Sequence, residues 1–162
     1  MPDSTAYAEL VRAFARPPPE DIKALPPILY HGTTADRLRP ILEGGLLPST
    51  HATRVHADYA ESTEGYISFS QRETEARFFA LAAAVDYRER TREEIDGVVF
   101  RVQTAIAQRC WNTRFFRVDA LRGFNRGAQE WVTPDVVCNE AVQQYFIIPL
   151  VGAKRNRGKK VA

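Results

Sequence analysis

Cysteine is scarce in this chain: its 162 residues include two, Cys110 and Cys138. Two thiols are too few for a disulfide framework or a zinc site. Both are read as buried or half-buried thiols, and no metal is expected. A nucleophilic cysteine needs a histidine beside it, and the only three are His31, His51 and His56. Long apolar runs are missing too. The longest lies near Phe78 to Val85, far too short to cross a bilayer, so no membrane partner is expected. The first ten residues show no basic segment followed by an apolar run. The expectation is therefore a cytoplasmic protein, or one delivered into a target cell by a specialised secretion system. Neither a glycine-rich strand–turn–helix fingerprint nor a Walker loop is present, so any nucleotide must be held another way.

What is present reads as globular: 44% of residues are hydrophobic and 26% charged. The length fits one core. The net charge of +2 hides an asymmetry. Lys154, Arg155, Arg157, Lys159 and Lys160 form a basic tail with no acid among them. The rest of the chain holds 17 basic against 20 acidic residues, a net of −3. Such a tail is read as a solvated end or as a contact for nucleic-acid phosphates.

Residues 4–15 are expected to form a helix, capped by Ser4 with Tyr7, Leu10, Val11 and Phe14 on one stripe. Pro17, Pro18 and Pro19 end it. Pro26 and Pro27 then lead into a short apolar strand over 28–31. Thr33 and Thr34 are candidate caps for a helix with Leu38, Ile41 and Leu42 on its buried side and Gly44-Gly45 as its stop. Residues 48–64 are polar and aperiodic, a long surface loop. Strands are expected over 66–70, 97–103 and 115–118, with one opening at Glu130 and a buried closing strand over 142–150. A helix over 73–86 carries Ala76, Phe79, Ala80 and Ala83 at helical spacing. Helices early and strands late argue an α+β fold rather than a doubly wound sheet. The boundaries read as an N-terminal helix and proline-rich lead-in over 1–27, a catalytic domain over 28–152, and the basic tail over 153–162.

Three segments stand out by order and spacing. The first is Leu29-Tyr30-His31-Gly32-Thr33-Thr34, before a helix. The second is Gly65-Tyr66-Ile67-Ser68-Phe69-Ser70, with Phe78 on the helix that follows. The third is Glu130-Trp131-Val132-Thr133-Pro134-Asp135, before a closing strand. The set resembles the ADP-ribosyltransferase family, in its His-Tyr-Glu branch of diphtheria-like toxins and poly-ADP-ribose polymerases. The resemblance spans roughly residues 28–151. It implies a split β-sandwich with an N-terminal helix and flanking helices, and NAD as co-substrate.

The resemblance also implies roles. His31 would bond the adenosine-side ribose, and the Gly32 backbone would bond the nicotinamide carboxamide. Thr33 and Ser68 would line the NAD site. Tyr66 would stack on the nicotinamide with Phe78 as a second ring wall, and Glu130 would hold the nicotinamide ribose as catalytic acid. The chemistry suits these residue types, since the nicotinamide–ribose bond breaks through an oxocarbenium-like state that a carboxylate stabilises. Where many relatives place a carboxamide-binding serine, this chain has Glu75. Ser68-Phe69-Ser70 resembles the Ser-Thr-Ser element of the Arg-Ser-Glu branch, but that branch opens on arginine where His31 stands here. Phe124 and Arg126, in the segment before Glu130, would meet the acceptor.

The expected activity is mono-ADP-ribosyl transfer to a protein or nucleic-acid acceptor, by an enzyme of the kind found among bacterial toxins and effectors. An NAD-dependent RNA 2′-phosphotransferase is a second reading of the same fold, and an inactive NAD- or ADP-ribose-binding module a third.

Overall fold

A computed structural model describes residues 25–48, 67–118 and 130–150 of the chain. The expected N-terminal helix, His51, His56, Tyr66, Phe124, Arg126 and the basic tail lie outside the described residues, and so does the Glu130 side chain.

The chain enters on β1 (Ile28–Thr34), a 3₁₀ turn over Ala35–Arg37 and α1 (Leu38–Gly44). β2 (Ile67–Ser70) follows, then α2 (Glu73–Thr91), β3 (Gly97–Gln103) and α3 (Thr104–Trp111). β4 (Phe116–Val118), β5 (Glu130–Thr133), a 3₁₀ turn over Asn139–Val142 and β6 (Gln144–Ile148) complete it. The six strands form one sheet in the order β4-β5-β2-β1-β3-β6, and every neighbouring pair is antiparallel. This is the expected α+β class.

β3 lies inside the sheet and is covered on both faces, so it reads as an unbroken apolar run rather than an alternation. Val98, Val99, Phe100 and Val102 are all fully buried. One face packs into the main core with Leu29, Phe69, Phe100, Val102 and Trp131, capped by Ile41 of α1 and by Val137 and Val142. The other face receives α2.

That second contact is unusually close. α2 meets the sheet through Ala76, Ala80 and Ala84, a line at i, i+4 and i+8. Opposite them stand Gly32 of β1 and Gly97 of β3. A methyl added at Gly32 would lie 2.2 Å from the Ala76 carbonyl oxygen, and one at Gly97 3.0 Å from the Ala80 Cβ. Helix and sheet therefore meet backbone to backbone. The buried line runs through Ala84 rather than the expected Phe79 and Ala83, because only methyl groups fit in this gap.

α1 ends as expected. Gly45 has φ +84°, a conformation that suits glycine, and its N–H bonds the Ile41 carbonyl at 2.7 Å. Leu46 then pairs with Val137 through two backbone bonds of 2.9 and 3.0 Å. Thr34 precedes the first 3₁₀ turn without a side-chain cap bond, so the capping expected of it is not made.

Three expectations need correcting. The closing strand is not buried: β6 is the sheet edge, and Tyr145, Phe146 and Ile147 are each more than two-fifths exposed. Residues rich in β-formers suit an edge as well as an interior, so propensity alone does not place them. The burial expected at the start of this stretch belongs instead to the 3₁₀ turn, whose Ala141 and Val142 are buried. Cys110 is exposed, whereas Cys138 is buried. Finally, α3 was not expected. It is about two turns long with a modest pattern, held at its start by the Thr104 hydroxyl, which donates to the Pro26 carbonyl at 2.7 Å.

Candidate functional site

β1 and β2 stay paired only briefly. Tyr30 opposes Ser70, and among the described residues no further ladder pair joins the two strands. On its other edge β1 pairs with β3 over its full length. Directly opposed residues in an antiparallel ladder alternate between hydrogen-bonded and non-bonded pairs. The bonds Ala35 N–H to Asp96 O and Thr104 N–H to Pro27 O continue the β1–β3 register at either end. The odd-numbered residues of β1 therefore bond to β3, and the N–H and C=O of Tyr30 and Gly32 face β2. Tyr30 meets Ser70 there. Two residues on, β2 has parted from β1, and the Gly32 backbone faces the gap.

His31 spans that gap. Its Nδ1–H donates to the Ser68 carbonyl at 2.8 Å, taking the acceptor that a continued ladder would have used for Gly32. A carbonyl only accepts, so Nδ1 carries the proton and Nε2 of the neutral ring is left as an acceptor. The half-buried ring packs 5.9 Å from Phe69, which in turn meets Phe115 edge-on at 5.7 Å. Loss of water around the imidazole lowers the His31 pKa; the Ser68 bond opposes this, and the Arg37 charge adds to it. His31 is thus neutral at pH 7.

A pH dependence follows. With the folded pKa below the unfolded one, the unfolded chain takes up the proton first as pH falls. The stability tied to neutral His31 is whole above about 6.5 and declines below it, toward the folded value. Imidazole NMR of the folded chain should show His31 still neutral at pH 6.5. A midpoint at or above that value would contradict the desolvated setting.

The strand beyond β2 is β5. Its Glu130 opposes Ser70 on one side and Val118 on the other. The topology therefore sets the backbones of His31, Ser68 and Glu130 on three adjacent strands, though the three lie far apart in sequence. Thr33 follows Gly32 on β1, half-buried and opposed to Val98. Phe78 stands on α2 with half of its surface exposed, edge-on to Phe79 at 5.8 Å.

Glu75 is not idle. Ser70 Oγ donates to its carboxylate at 2.7 Å, and the Arg72 N–H donates to Ser70 Oγ at 3.2 Å. The first turn of α2 is thereby tied to the end of β2, beside the point where β1 and β2 last pair.

One feature of β4 and β5 escaped the sequence reading. Arg117 opposes Trp131, which opposes Phe69. Leu29, Phe69 and Trp131 share one core, and side chains alternate along a strand, so this row lies on the face that carries His31. Buried Nε and Nη1 of Arg117 and Nε1 of Trp131 have no hydrogen-bond partner among the described residues. Buried donors are ordinarily satisfied, and a cation's donors most of all. Only the register of two strands brings these residues together, which no local pattern announces.

Cys110 has no nucleophile's setting despite its exposure. Its hydrogen bond with Cys138, then burial, then its bond with Glu140 push the thiol up to about 12. It is therefore fully protonated at neutral pH.

No protein-family model matches this chain, and no curated protein matches it.

Proposed function

We propose that this chain is an NAD-dependent mono-ADP-ribosyltransferase on a split β-sandwich. The observation that carries the reading is the parting of β1 from β2 after a single ladder pair among the described residues, with the Gly32 backbone and the His31 ring at the opening. A sheet that divides in this way offers an unpaired strand edge, which suits a flat amide such as the nicotinamide carboxamide. Gly32 gives it one donor and one acceptor. Neutral His31, with Nε2 as acceptor, suits a ribose hydroxyl. The guanidinium of Arg117, whose Nε and Nη1 have no partner among the described residues, suits the pyrophosphate of NAD.

The reaction follows from these parts. The bond between ribose C1′ and the nicotinamide nitrogen breaks, and nicotinamide leaves with the electron pair. The ribose passes through an oxocarbenium-like state that the Glu130 carboxylate stabilises through charge and a hydroxyl contact. An acceptor nucleophile then bonds C1′ and gives up its proton. Phe124 and Arg126, just before Glu130, meet that acceptor, a protein or nucleic acid. Glu75 takes the place of a serine that would otherwise bind the carboxamide, and its bond to Ser70 ties it to the scaffold.

Incubation of a cell lysate with labelled NAD tests the reading. Label on macromolecules together with free nicotinamide supports transfer, and no nicotinamide release above a buffer control removes it. The stacking role is tested separately. Tyr66→Ala should weaken NAD binding by roughly 1–3 kcal/mol, from lost stacking and burial, while Tyr66→Phe keeps most of it. Equal affinities of wild type and Tyr66→Ala by calorimetry would take Tyr66 out of the site.

A further inference from the structure

Away from the β1–β2 opening, the fold brings Cys110 to two further metal-ligating side chains, Cys138 and Glu140. Cys110 stands in the last turn of α3. Cys138 and Glu140 flank the start of the 3₁₀ turn over Asn139–Val142. Their ligand atoms all lie within 4.8 Å of one another. Cys110 Sγ donates to Glu140 Oε2 at 3.4 Å, and Cys138 Sγ lies 3.9 Å from the Ile106 carbonyl.

We propose that Cys110, Cys138 and Glu140 form a binding site for a thiophilic divalent cation of the zinc class.

The spacing carries the proposal. Zinc bonds thiolate sulfur at about 2.3 Å and carboxylate oxygen at about 2.0–2.2 Å, in a tetrahedron. Two such ligands are then about 3.6 Å apart for sulfur and oxygen and about 3.8 Å for two sulfurs. The 3.4 Å between Cys110 Sγ and Glu140 Oε2 is already close to a tetrahedral edge. Seating the ion needs only small side-chain rotations. The ligand set is soft sulfur with one carboxylate, which selects zinc-like ions over magnesium or calcium. A disulfide would account for the two thiols but not for a carboxylate turned onto them.

Burial supplies an anchor and an access path. Cys138 is buried, while Cys110 and Glu140 are exposed. An ion can therefore arrive from solvent, and water fills its fourth position. On binding, the two thiols release their protons to solvent and two metal–sulfur bonds form. The Cys138 contact to the Ile106 carbonyl is given up.

The metal would clamp α3 to the turn that leads into β6. That turn already holds α1 through Asn139 Nδ2, which donates to the Leu42 carbonyl at 3.3 Å. The site acts as a staple between three elements and adds stability that rises with the logarithm of ion concentration once that exceeds the dissociation constant.

The test uses the full chain, reduced with a phosphine, stripped by chelator and titrated with zinc against a chromophoric competitor. The expected result is about one zinc ion per chain. Cys110→Ser should weaken binding by more than the roughly 10–100-fold that follows from losing a ligand's own partner. Glu140→Gln should weaken it by roughly 10-fold or more. Cobalt supplies a second readout, because two thiolates in a tetrahedral site give strong charge-transfer bands, which Cys110→Ser should diminish. Cys110 is exposed, so this variant should fold normally, and circular dichroism checks that. Absence of stoichiometric zinc in the wild type overturns the proposal, as does a Cys110→Ser variant that binds zinc as tightly. Recovery of a Cys110–Cys138 disulfide from protein prepared with zinc and without reductant also overturns it.

Discussion

Glu130→Gln is expected to lower NAD turnover by roughly 100-fold or more, the scale of one preorganised electrostatic contact. The substitution keeps the shape of the side chain and removes its charge. Glu130 enters on β5, opposed to Ser70 of β2, one strand from the β1–β2 opening. On the proposed reading, its carboxylate stabilises positive charge that exists only as the nicotinamide bond breaks. NAD affinity should therefore change little, because ground and transition states differ in this charge. Nicotinamide release measures the first quantity and calorimetry the second. Turnover near that of the wild type would mean that another carboxylate does the work. Glu75 would then be the next to test, since it bonds the very Ser70 that Glu130 opposes. Glu140 is less suited, with its carboxylate engaged by Cys110.

Gly32→Ala is expected to cost about 3 kcal/mol of folding stability, the upper end for overpacking a tight interface. The added methyl would lie 2.2 Å from the Ala76 carbonyl oxygen and 2.9 Å from the Ala80 nitrogen. Both are backbone atoms of α2, so no side-chain rotation relieves the contact. Nor can the helix tilt away cheaply, because it also packs closely on Gly97 one strand over, where a Cβ would lie 3.0 Å from Ala80. Gly44→Ala is the control. A Cβ there meets nothing within 4 Å, and the residue is helical, so the change should be neutral or gain up to about 1 kcal/mol. Urea melts of the three proteins separate the cases. A Gly32→Ala chain as stable as wild type would show that α2 can move off the sheet.

This contact also revises why glycine stands after His31. The resemblance implies a glycine that lets a ligand reach the backbone. The structure adds a second demand on the same residue from the opposite side: α2 occupies the space where a side chain would sit. One residue thus lets the helix seat and leaves its main chain facing the gap. A sequence pattern cannot separate two such demands, since both are met by the same missing atoms.

Local signals determined much of this protein. The proline pair before β1, the Gly44-Gly45 stop, the apolar run of β3 and the alanine-rich α2 each act over a few residues, through steric limits on φ or side-chain periodicity. The chain's neighbours in sequence were enough to read them. The edge position of β6 was not legible, because strand-forming side chains look alike at an edge and in a sheet interior. α3 was missed because no glycine stop marks its end, as Gly44-Gly45 marks the end of the comparably short α1. Only the tertiary structure decided which distant residues meet: Gly32 with Ala76, His31 with the Ser68 carbonyl, Arg117 with Trp131, and Cys110 with Cys138 and Glu140. Each pairing depends on strand order and register or on how helices and turns pack on the sheet. Those are set by the summed burial of the whole core rather than by any one segment, so a reading along the chain finds the residues before it can find their partners.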